Sequence, residues 1–70
     1  MNFGEYIEKT LIDKNIKKSE FADLVGVTRQ SLATNIEKWK NGREPNIKTV
    51  KKYISALGLE ISDFFNQNVS

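Results

Sequence analysis

The sequence predicts an all-α fold of five helices. Three observations carry that expectation. Apolar residues recur at spacings of three and four along most of the chain, and no stretch alternates apolar and polar residues as a half-buried strand does. Asn, Gly and Pro interrupt the periodicity where helices are expected to end. With 70 residues the chain is expected to form one domain, without linker, repeat or low-complexity segment.

Phe3, Tyr6, Ile7 and Leu11 draw one stripe down a first helix that runs to about Lys14, with Asn15 as its stop. Phe21, Leu24 and Val25, with Ala22 on the same face, mark a short second helix. Gly26 follows directly and can adopt the left-handed conformation that ends a helix at little steric cost. Thr28 is a good N-cap, because its hydroxyl can accept a bond from an unpaired amide of the next turn. The stripe resumes at Leu32, Ile36 and Trp39, so a third helix reaches about Lys40 and Trp39 is expected in the core. Asn41, Gly42 and Pro45 form a loop. Ile47, Val50, Ile54 and Leu57 then define a fourth helix with Gly58 at its end. Leu59, Ile61, Phe64 and Phe65 predict one or two last helical turns before a polar tail, residues 66–70.

Composition narrows the chemistry. The chain has no Cys and no His, so it lacks disulfides, thiolate metal sites, the commonest metal ligand and the usual proton shuttle. Asp13 and Glu20 have no Gly-rich phosphate loop beside them, and the expectation is a protein that is not an enzyme and takes no cofactor. The start of the sequence shows no basic region followed by an apolar stretch, and no apolar run approaches the roughly 20 residues of a membrane span. A cytoplasmic protein is expected. The net charge is only +2, but it is unevenly placed: between Lys14 and Lys52 ten basic residues face four acidic ones, whereas the ends carry one basic residue against five acidic. A polarised molecule with a positive middle suits an anionic partner.

The segment from about Lys18 to Lys40 holds a short helix, a turn that begins with Gly26, and a helix capped by Thr28. This is helix-turn-helix geometry, in which the second helix crosses the first and projects its N-terminal polar face outward. A DNA major groove about 12 Å wide admits such a helix.

Further residues extend the pattern: Phe21-Ala22, Leu24-Val25-Gly26-Val27-Thr28, Gln30-Ser31-Leu32, Asn41-Gly42 with Pro45, and Ala56-Leu57-Gly58-Leu59 before Ile61 to Phe65. Over nearly the whole chain they resemble the Cro and phage-repressor type helix-turn-helix proteins, also called the Xre or lambda-repressor-like family. The resemblance implies a compact five-helix DNA-binding domain, probing a double-stranded operator as a transcriptional regulator of the repressor kind. It places base reading on Arg29, Gln30 and Thr34, with Ser31 and Ala33 beside them. Arg pairs well with guanine and Gln with adenine in the major groove, and Thr can touch a thymine methyl. Phosphate contacts fall by the same resemblance on Lys18, Thr28, Lys40, Asn41 and Arg43. Lys48, Lys51 and Lys52 read as a solvated face of the fourth helix.

The sequence departs from the family's pattern in three places. Asn35 stands where an apolar residue is usual, and Asn41-Gly42 arrives about four residues late, close to one extra turn of the third helix. Four residues rotate the stripe by only about 40°, so the core face is kept while the following loop is displaced. Asn35 and Lys38 thereby join the groove and backbone candidates. Lys17 stands where Ser or Thr usually caps the second helix, leaving Ser19 as an alternative. Glu60 stands at the cap of the last helix, with Ser62 as its replacement.

One short helix reads only a few base pairs, so a homodimer is expected, using Ile61, Phe64 and Phe65. Adjacent aromatics on a short helix cannot both face inward, which leaves one of the two Phe rings exposed. The alternative function is a protein-interaction module on the same fold, either a phage-type modulator that binds another regulator or an antitoxin. Trp39, Phe64 or Phe65 would then supply the contact.

Overall fold

The computed structural model describes residues 2–69, with side-chain surroundings described through residue 66. Five helices follow one another: α1 (Phe3–Asp13), α2 (Lys18–Val25), α3 (Arg29–Lys40), α4 (Ile47–Ala56) and α5 (Ile61–Val69). No strand occurs among the described residues. The all-α expectation holds, and each helix start has a local cause. Asn2 and Glu5 form a capping box, in which Asn2 Oδ1 accepts from the Glu5 amide at 2.9 Å and Glu5 Oε1 accepts from the Asn2 amide at 3.1 Å. Thr28 Oγ1 accepts from the Ser31 amide at 3.0 Å, and Asn46 Oδ1 from the Thr49 amide at 2.8 Å.

Four expectations are corrected. Helix α2 begins at Lys18 after Lys17, which makes no side-chain cap, so Ser19 does not start the helix. At α5 the Glu60 amide donates to Asp63 Oδ2 at 2.9 Å, so Asp63 closes that turn in place of Ser62. The helix also continues through Val69, taking in most of the segment expected as a tail. Leu24 and Ile47, both assigned to the core stripes, are 62% and 54% exposed.

The core is built from Phe3, Tyr6, Ile7, Leu11, Phe21, Ala22, Val25, Leu32, Ile36, Trp39, Val50, Tyr53, Ile54, Leu57 and Phe64. Its centre is a continuous run of edge-on aromatic contacts with one ring from every helix. Phe64 of α5 meets Phe3 of α1 at 5.3 Å, Phe3 meets Trp39 of α3 at 5.1 Å, Trp39 meets Tyr53 of α4 at 5.1 Å, and Tyr53 meets Phe21 of α2 at 5.5 Å. Edge-to-face pairs add about 0.5–1.5 kcal/mol each beyond the area they bury. Trp39, expected in the core, sits in the middle of this run, on the last turn of the lengthened α3.

Helices α1 and α3 cross at very close range. An added Cβ at Gly4 would lie 2.6 Å from both Ile36 O and Lys40 N, so only a residue without a side chain fits there. The Asn2 Nδ2 amide then donates to Lys40 O at 3.0 Å, satisfying one of the carbonyls left unpaired at the end of α3. The start of α1 thereby holds the last turn of α3 in place.

Candidate nucleic-acid interface

Gly26, with φ of 76°, ends α2 in the left-handed region, where an L side chain would be strained. The Val27 amide returns to Ala22 O at 3.0 Å, and the chain re-enters a helix two residues later. This sharp turn sets α3 across α2 and fixes which face of α3 looks outward. Leu32, Ile36 and Trp39 are buried, lying within about 60° of one another around the helix axis at roughly 100° per residue. Arg29, Gln30, Ser31, Ala33 and Thr34 are all exposed. The residues expected to read bases are thus all on exposed surface of α3, with Gln30, Ala33 and Thr34 on the side away from the three core side chains. Thr28 is exposed too, but its hydroxyl is already engaged as the cap, so what it offers a phosphate is the positioned amides of the helix start.

The other candidate phosphate contacts fall into two groups. Lys38, Asn41 and Arg43 are exposed around the end of α3, where the Arg43 amide returns to Lys38 O at 3.1 Å and fixes the loop. Lys18 and Lys40 converge on Glu8 of α1, a residue that sequence reasoning did not single out. Lys40 Nζ donates to Glu8 Oε1 at 3.1 Å, and Lys18 Nζ lies 3.9 Å from Glu8 Oε2. The hydrogen bond to Glu8, then the charges of Glu8 and Glu37, hold the Lys40 ammonium above the ordinary lysine range. Lys40 therefore stays protonated throughout the neutral range. Since 32 residues separate Glu8 from Lys40, no local spacing rule could have paired them.

The aromatic expectations at α5 separate. Phe64 is buried against Phe3 and Tyr6, at 5.3 and 5.1 Å, while Phe65 is 48% exposed and Ile61 is half-buried. Phe65 borders a cleft of about 650 Å³ together with Trp39, Arg43, Pro45, Ile47 and Val50. None of the helices is long and apolar enough to cross a membrane among the described residues.

Compared with known proteins, residues 7–64 match the model of a helix-turn-helix family. No curated protein and no solved structure matches the chain.

Proposed function

Because the chain belongs to the Cro/C1-type helix-turn-helix family of DNA-binding regulators, we propose that it is a sequence-specific operator-binding protein, a repressor that works by occupying its site. One observation carries this reading: Arg29, Gln30, Ser31 and Thr34 are all exposed on α3, with Gln30 and Thr34 on the side away from the stripe that is locked into the core. A helix seated in this way meets a major groove without its backbone first having to be ordered, and base-edge hydrogen bonds then discriminate sequence. Lys18, Thr28, Lys38, Lys40, Asn41 and Arg43 set the register on the phosphates and carry no sequence information themselves. The working unit is a cytoplasmic homodimer of this single domain, joined through Phe65 and Ile61 beside the cleft.

The cleft also favours a second reading. Its apolar lining, with exposed Ile47 and Phe65 at the rim, suits a module that docks on another regulator, as a modulator or antitoxin would. Selection from a randomised duplex pool at two salt concentrations separates the two. The DNA reading predicts an inverted repeat with half-site centres about 34 Å apart, retained less well at higher salt. Retention without any enriched sequence would sink it in favour of the docking module.

Single substitutions give a finer check by titration against the recovered duplex and its single-base variants. Arg29→Ala is expected to relax preference at one base pair, with a loss of about 1–3 kcal/mol on the preferred site only. Arg43→Ala is expected to weaken all duplexes alike and to lower the salt slope by about one. Equal, sequence-independent losses from both would remove Arg29 from the reading face.

A further inference from the structure

Resting on the DNA-binding reading above, we propose that Glu37 is a specificity-determining residue that selects cytosine in the operator half-site, its carboxylate accepting a hydrogen bond from the cytosine N4 amino group.

The placement comes from the length of α3. The helix has 12 residues, and Glu37 lies in its third turn, exposed. At roughly 100° per residue, Gln30, Ala33, Thr34 and Glu37 fall within one sector of about 100° on the side away from Leu32, Ile36 and Trp39. All four are exposed, so the surface that carries Gln30 and Thr34 continues without a break to Glu37. Seven residues at about 1.5 Å each put Glu37 roughly 10 Å along the axis from Gln30, within the width of a major groove and about three base-pair steps in length. The last turn that carries this end of the helix is rigidly seated, through Trp39 in the core and the Asn2 bond to Lys40 O.

The chemistry follows from the charge. Glu37 has no ion pair and no side-chain hydrogen bond among the described residues, although the positive charge of Lys40 is near. A carboxylate brought into the groove loses water and needs an N–H donor in return. Base edges in the major groove offer two kinds of amino donor, cytosine N4 and adenine N6. Beside adenine N6 stands the N7 acceptor, which repels a carboxylate, whereas cytosine presents its donor without an adjoining acceptor on the same base. Guanine and thymine present acceptors where the carboxylate would need donors. Glu37 therefore rewards cytosine and opposes the other three bases.

The test repeats the pool selection with the wild-type chain, Glu37→Ala and the near-isosteric Glu37→Gln, after circular dichroism has established that each is helical. The wild-type motif should contain a cytosine position to which Glu37→Ala is indifferent, with the other positions unchanged. At that position Glu37→Gln should come to prefer adenine, which Gln can pair through N6 and N7. On the wild-type duplex Glu37→Ala should bind about 5- to 150-fold more weakly. An unchanged motif in both variants, with affinity raised evenly on every duplex, overturns the proposal and makes Glu37 a residue that merely repels phosphate. A wild-type chain that enriches no sequence overturns the DNA-binding reading along with it.

Discussion

Trp39→Ala is expected to lower the Tm of the chain by roughly 12–40 °C. Truncating a buried Trp costs about 3–5 kcal/mol through lost transfer energy and an unfilled cavity. A chain of 70 residues has a total stability of roughly 3.5–10 kcal/mol, so the change removes from about a third of it to all of it. The position makes this Trp worse to lose than its size alone implies. It touches Phe3 on one side and Tyr53 on the other at 5.1 Å each, so its removal leaves those two rings joined only by their own longer contact at 6.2 Å. Thermal unfolding followed by circular dichroism checks this. A variant that melts within a few degrees of the wild type would show that the rings do not depend on one another.

The second large effect is expected from the smallest change, Gly4→Ala. The new methyl would stand 2.6 Å from Ile36 O and Lys40 N, and both are backbone atoms inside a helix, which cannot swing aside as a side chain does. Helices α1 and α3 must move apart, at an overpacking cost of about 2–3 kcal/mol. For a domain of this size that corresponds to a fall of roughly 10–20 °C in Tm. The displacement also loosens the end of α3, because Asn2 can no longer reach Lys40 O in the same geometry. An unchanged Tm would mean that α1 is not seated on α3 closely enough for a Cβ at Gly4 to meet its backbone.

Much of this architecture was legible in the sequence because it depends on local causes. Thr28 caps α3, Gly26 turns the chain and Asn15 ends α1 in the left-handed region, each of which a single residue type dictates. The long α3 was equally readable, since Leu32, Ile36 and Trp39 keep one face over an added turn. Leu24 was misplaced for a physical reason. In an eight-residue helix, spacings of three and four diverge to either side of Phe21, and Leu24 lies about 90–100° from Val25. Only packing against the neighbouring helices decides which side is covered, and it covers Ala22 and Val25. Ile47 lies about 20° from buried Ile54 around the axis, so its angle could not foretell that it is exposed at the first position of α4, and Tyr53 is an inner residue that the apolar count passed over.

The candidate site shows the same division. The exposure of Gln30 and Thr34 follows from the stripe on the opposite side of the helix and could be read directly, whereas Arg29 lies about 20° from Ile36 around the axis and is nonetheless exposed in the first turn. The partners of Lys18 and Lys40 could not, because Glu8 reaches them only through the crossing of α1 with the other two helices. Nor could the fate of the two adjacent Phe rings be divided beyond stating that one stays outside. The rings of Phe3 and Tyr6, more than fifty residues earlier in the chain, determine that Phe64 is the inner one.

Glu8 changes what the cationic residues amount to. A count of basic side chains treats Lys18 and Lys40 as two separate attractors of a polyanion, yet both stand beside the same carboxylate. At distances beyond a Debye length, about 8 Å at physiological ionic strength, an approaching strand cannot resolve the three charges and meets their sum. Two lysines and one glutamate then act on it as a single positive charge, and the second emerges only when a phosphate comes near enough to take the place of Glu8.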